Sequence, residues 1–160
     1  MSRTVQGHFR ETPGVSSLVP AMPFFNVRFP ATTGDTRYEF LIDTGADFTT
    51  LNPRDAVAVL GAGYFNIDFA DPVRQIRMTG IGQGDSVGLL FPSELQLLAT
   101  DGDWVNVELP ILVPEPTPRV PGDHGNWQLP SFLGRDILSH FDLALSYNPP
   151  AVSLTEAASA

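Results

Sequence analysis

One carboxylate stands out by its setting. Asp43 closes the apolar run Phe40-Leu41-Ile42 and is followed by Thr44, Gly45 and Ala46, so a charged group ends a strand-like segment where glycine permits a tight turn. A carboxylate at a dry strand end needs hydrogen-bond donors around it to hold a useful ionisation state, and a carboxyl group so held suits general acid–base work. The same residues also fit an ordinary Asx turn, and one Asp-Thr-Gly tripeptide does not separate the two. A second cluster, Thr79-Gly80-Ile81-Gly82-Gln83-Gly84, imitates a phosphate-binding loop, but strand-like sequence on both sides and no helix after it argue against a nucleotide site. His8, His124 and His140 are scattered, with no pair at ligand spacing. A Ser-His-Asp triad lacks a nucleophile-elbow glycine pattern.

Composition removes further chemistries. The 160 residues contain no cysteine, and all nine cationic side chains are arginine. Thiol nucleophiles, disulfides, thiolate metal sites, lysine Schiff bases and a P-loop lysine are therefore excluded. Asp and Glu number 18 against those nine arginines, a net charge of -9, which disfavours nucleic acid and anionic membrane surfaces as partners. Residues 1–20 hold no apolar core of signal-peptide length, and no later stretch reaches the length of a membrane span, so a cytoplasmic protein is the expectation. The length suits one domain.

The elements that must position these residues read as mainly β. Residues 1–20 are polar and broken by Pro13, Gly14 and Pro20, which predicts a flexible arm. Met22–Phe29 and Arg37–Ile42 read as a hairpin around a turn at Ala31–Gly34. Asn52-Pro53 predicts a helix start, with Arg54–Leu60 closed by Gly61. Strand signals return at Val73–Met78, Val87–Phe91, Glu94–Leu98 and Trp104–Val113, with the glycine cluster at a hairpin tip. Residues 114–130 are rich in proline and predict a long irregular loop. Leu133–Phe141 reads as a short helix, Leu143–Tyr147 and Ala151–Leu154 as strands, and residues 156–160 as a tail. The domain proper is 21–155.

Four separated stretches taken together, FLIDTGADFTTL at 40–51, RMTGIGQG at 77–84, PEPTPRV at 114–120 and FLGRDIL at 132–138, resemble the retroviral-type aspartic proteases, the retropepsins. The resemblance covers Pro23 to Tyr147. It implies a small closed β fold with a flap hairpin and one or two short helices, active as a homodimer, because the chain holds a single Asp-Thr-Gly and the second carboxylate must come from a second copy. Two carboxyl groups about 3 Å apart share one proton; one activates a water and the other donates to the scissile carbonyl oxygen.

Carried over residue by residue, the resemblance makes Asp43 the catalytic carboxylate. Thr44 braces the partner's loop across the two-fold, and Gly45 is the point of close backbone approach. Ala46 stands where related enzymes place a hydroxyl near the pair, which implies activity displaced toward neutral pH. Asp47 and Arg135 match a structural ion pair, and Asp47 and Phe48 also fall on the substrate side, Phe48 making its subsite more apolar. Gly80, Ile81 and Gly82 match the flap, with Ile81 the main substrate contact. Pro118 matches a substrate wall, and Phe132 and Leu133 the apolar pair before Gly134. Asp136 reads as support for the helix dipole. Residues 121–130 are an insertion relative to the viral pattern; His124 and Trp127 in it fit a cleft rim or a surface cover equally.

The expectation is an endopeptidase acting on extended, largely apolar peptide or protein segments, without metal or organic cofactor. A peptide-binding or dimerisation domain of the same fold that carries out no reaction is the alternative. A latent enzyme whose arm fills the cleft is another.

Overall fold

The computed structural model describes residues 2–11, 21–80 and 83–158. Strand accounts for 48% of the described residues and helix for 18%, in line with a mainly β expectation. Among the described residues no helix is long and apolar enough to cross a membrane.

The centre is a hairpin of β3 (Met22–Arg28) and β4 (Arg37–Ile42). They pair antiparallel with Phe25 opposite Phe40, and both rings are fully buried. The connection is a single helical turn, α1 (Pro30–Thr33), where a plain turn was expected; it ends at Gly34 with φ 58°, a conformation that favours glycine. Outward from β3 come β6 (Gln83–Leu98) and its antiparallel neighbours β5 (Gln75–Gly80) and β7 (Trp104–Pro114). β6 runs unbroken through Pro92 and Ser93, where two separate strands, Val87–Phe91 and Glu94–Leu98, were expected. Pro92 lies opposite Pro110, so both missing N–H groups fall at one rung and the ladder continues on either side. On the other flank β8 (Ser131–Leu133) joins β4 in parallel.

The strands do not close into a barrel among the described residues, which corrects the closed fold expected from the sequence. Instead a second sheet of three antiparallel strands forms from β1 (Thr4–Gln6), β10 (Pro150–Glu156) and β9 (Phe141–Tyr147), in the order β1-β10-β9.

That sheet also corrects the flexible arm. β1 pairs with β10, Val5 opposite Leu154, and β2 (His8–Arg10) pairs with β3. Val5 and Leu154 are buried. Gly7 passes between the sheets so closely that a Cβ there would sit 2.6 Å from the Phe24 carbonyl oxygen. Arg3 fastens the segment with hydrogen bonds to both Glu156 carboxylate oxygens, and His8 and Arg10 both reach Glu39 on β4. Polar side chains thus make the segment look like an arm while its backbone completes two sheet edges. Residues 12–20 lie outside the described residues. At the other end the tail begins later than expected, since Glu156 closes β10 and the Ala157 N–H donates to the His140 carbonyl.

One core lies between the sheets and α2 (Pro53–Leu60), which starts after Asn52 and ends at Gly61 with φ 63°. The amide of Asn52 does not cap the helix; it donates to the Pro130 carbonyl at 2.6 Å. Asn126 and Trp127 fold the 121–130 insertion back onto the chain before it. Asn126 accepts from the Thr117 N–H and donates to the Glu115 carbonyl, while Trp127 donates to the Pro118 carbonyl at 2.6 Å. The Trp127 ring is 5% exposed and packs on Tyr64 and Phe65, which makes it a core residue of the insertion.

Candidate active site

β8 threads between the two limbs of the loop that carries Asp43. On one side it runs parallel to β4, with Leu41 opposite Phe132, and the Asp43 N–H donates to the Leu133 carbonyl at 3.1 Å. The chain then turns through residues 43–48 and returns along the other side of β8. There Thr50 and Phe132 exchange hydrogen bonds, N to O, at 2.9 and 3.0 Å. The returning limb continues onto β7, where Leu51 N donates to Leu112 O and Leu112 N to Thr49 O, both at 2.9 Å. Both ends of the Asp43 loop are therefore tied into the same sheet.

Within the loop, the Gly45 N–H donates to Asp43 Oδ1 at 2.9 Å and the Ala46 N–H to the Asp43 carbonyl at 3.2 Å. The Asx turn anticipated as the plain structural reading is present, and it fixes the carboxylate's orientation. Asp43 is half-buried, while Thr44 and Gly45 are exposed.

The back of the loop is locked by the segment after β8. A Cβ on Gly134 would lie 2.5 Å from the Phe48 carbonyl carbon, so only glycine allows the two backbones to meet here. The Gly134 N–H donates to Thr49 Oγ1 at 3.1 Å, and Thr49 Oγ1 donates to Asp136 Oδ1 at 2.7 Å. The Thr49 N–H also reaches the Asp136 carboxylate at 2.9 Å. Asp136, in the first turn of α3 (Arg135–Leu138), additionally accepts from the Ile137 N–H at 2.8 Å. Its role is wider than the expected support of a helix dipole. Thr49 is fully buried and went unnoticed in the sequence; a threonine six residues past an aspartate carries no local signal of a partner near residue 136.

The ion pair of Asp47 and Arg135 forms as expected, on an exposed rim. Their backbones add to it, Arg135 N to Ala46 O at 2.8 Å and Asp136 N to Asp47 O at 3.2 Å. Phe48 is half-buried against Gly134, and Phe132 is half-buried between the limbs of the loop. Asp43, Thr44, Gly45, Ala46, Asp47, Phe48, Phe132 and Arg135 are thus brought together. Pro118 is tied to Trp127 instead. Gly80 ends β5 opposite Gln83 at the head of the hairpin; Ile81 and Gly82 lie outside the described residues.

A pocket of about 330 Å³ opens beside the base of that hairpin, between Tyr64, Phe69, Gln75, Val87, Glu115 and Arg119. No residue of the Asp43 loop lines it. Burial and, secondarily, the nearby Glu115 charge push the Tyr64 hydroxyl well above its ordinary range, so it stays protonated and donates to the Pro114 carbonyl at 2.7 Å.

One oriented carboxylate on a braced loop can take or give a proton; hydrolysis of an amide by acid and base together needs a second group. No family model matches the chain, and neither curated proteins nor solved structures provide a significant match to it.

Proposed function

We propose that this chain is a retropepsin-like aspartic endopeptidase that works as a homodimer, each copy supplying Asp43 to a shared catalytic pair. The observation that carries the reading is the convergence of Asp-Thr-Gly-Ala-Asp at 43–47 with Phe-Leu-Gly-Arg-Asp at 132–136, whose ion pair joins residues 88 positions apart. A lone Asx turn has no need of that convergence, whereas a carboxylate that must meet its symmetry mate within about 3 Å does.

In this reading the two Asp43 carboxyl groups face each other across a two-fold and hold one proton between them. The ionised member accepts a proton from a water as that water attacks the peptide carbonyl carbon. The protonated member gives its proton to the carbonyl oxygen. Collapse of the tetrahedral intermediate breaks the C–N bond, and the amine leaves with a proton returned from the pair. The exposed Thr44 braces the partner's loop. The β5–β6 hairpin is the flap that covers an extended peptide. No metal or organic cofactor enters these steps.

Mixing wild type with Asp43→Asn tests the shared site. If chains pair at random, equal mixing lowers peptide-cleaving activity per wild-type chain by about half. Activity per wild-type chain that ignores the added variant overturns the shared pair.

A further inference from the structure

The cavity beside the base of the β5–β6 hairpin takes no part in the steps proposed above, yet each of its walls is held by bonds of its own. Tyr64 donates to the Pro114 carbonyl at 2.7 Å. The Gln75 side chain of β5 donates to the Phe69 carbonyl at 2.9 Å, and Arg119 Nη2 donates to the Phe65 carbonyl at 2.9 Å. The Glu115 N–H donates to the Val87 carbonyl of β6 at 2.9 Å, and the Asn126 amide donates to the Glu115 carbonyl. Hairpin, the 64–70 segment and the proline-rich loop thus frame a preorganised space, which lowers the cost of binding. Its volume of about 330 Å³ lies at the small end of the ~300–1,000 Å³ usual for ligand pockets. That suits a ligand of one or two amino-acid residues, not an extended segment.

Two kinds of surface meet there. Ile67, Phe69 and Val87 supply an apolar wall of the kind on which an aromatic side chain packs. Asp68, Glu115 and Arg119 add charges of both signs, and all three are exposed. They do not neutralise one another, since among the described residues none of the three is in an ion pair. The hydrogen bonds of Glu115 run through its backbone, and Arg119 is held by a carbonyl. A purely anionic ligand meets two carboxylates in a chain of net charge -9. A purely cationic one leaves Arg119 facing a like charge. A ligand with one charge of each sign answers both.

We propose that this cavity binds a small zwitterion with an apolar side chain, a free aromatic amino acid or a dipeptide. Its carboxylate pairs with Arg119, its ammonium with Glu115 and Asp68, and its side chain lies against Ile67, Phe69 and Val87. A guanidinium carries several N–H groups, so the bond from Arg119 to Phe65 leaves donors for the ligand. No residue of the Asp43 loop lines the cavity, and the proposal stands whether or not Asp43 is catalytic.

Titration of the full chain with L-phenylalanine and with L-phenylalanyl-L-phenylalanine, followed by amide NMR shifts, tests this. Shifts are expected at Phe69, Val87 and Arg119. N-acetyl-L-phenylalaninamide, which lacks both charges, is expected to bind about tenfold more weakly. Arg119→Gln and Glu115→Gln are each expected to weaken the zwitterion about tenfold while melting with wild type, because both side chains are exposed. Tighter binding of the single amino acid assigns the site to free amino acids, and tighter binding of the dipeptide assigns it to peptide fragments; both support it. No saturable shift with either probe overturns the site, as do shifts confined to the Asp43 loop. An affinity that the uncharged amide matches, or that both substitutions leave unchanged, overturns the zwitterion.

Discussion

Thr49 gives both its backbone N–H and its hydroxyl to the Asp136 carboxylate, and the same hydroxyl accepts from the Gly134 N–H. One buried side chain thus joins the returning limb of the Asp43 loop to the head of α3. Thr49→Val keeps the shape and removes the hydroxyl, leaving the Gly134 N–H without its acceptor and Asp136 short of a donor. A loss of about 1–3 kcal/mol is expected, read by urea unfolding, with cleavage activity reduced at temperatures where the variant is still folded. Asp136→Asn retains an acceptor oxygen and is expected to lose less than Asp136→Ala.

Gly134→Ala tests the close approach to Phe48. The added methyl meets backbone rather than a movable side chain, so the loop or α3 has to shift. Destabilisation of about 1–3 kcal/mol is expected, seen as a lower melting temperature. A variant that melts with wild type would show that the two segments are not held this tightly.

Much of this was legible in the sequence where the signal is local. The β3–β4 hairpin, α2 between Asn52 and Gly61, and the β9–β10 pair follow from period-two apolar runs and from turn residues at their ends. The Asp47–Arg135 pair was reachable through the resemblance. What stayed hidden depends on partners distant in the chain. β1 and β2 are three residues each and largely polar, and β1 becomes a strand because β10 lies beside it. Leu133, the last residue of β8, reads as the beginning of a helix until the strand's neighbours in β4 and at Thr50 are known. Trp127 sits in proline-rich sequence typical of surface loops, and its burial comes from Tyr64 and Phe65.

The Asp47–Arg135 ion pair is exposed, its two side chains 69% and 64% accessible. Neutralising Asp47 as Asn is expected to change stability by no more than about 1 kcal/mol, with the difference shrinking in high salt. The backbone bonds from Arg135 and Asp136 keep the loop in place. A large, salt-independent loss in chemical denaturation would give the pair more weight than its exposure allows.

Acid is expected to loosen the N-terminal segment. Hydrogen bonds from Arg3 hold the Glu156 carboxyl below its usual 4.5. At Glu39, burial pushes upward but the His8 and Arg10 contacts outweigh it and hold this carboxyl low as well. For a carboxyl lowered in the folded state, the stabilisation is present in full above the unfolded value and is lost as pH falls through the folded one. Melting temperature is therefore expected to hold above about pH 5 and fall below about 4.5. Glu156→Gln should flatten part of that fall, and an unchanged acid limb in the variant would place the loss elsewhere.

The central claim is tested most directly by mass-spectrometric analysis of a mixed peptide library incubated with wild type and with Asp43→Asn across a range of pH, at a concentration that favours pairs. The account predicts discrete internal cuts made by wild type, flanked by apolar residues and absent with the variant. Cuts that persist in Asp43→Asn, or none from a wild-type sample shown to be dimeric, would contradict it.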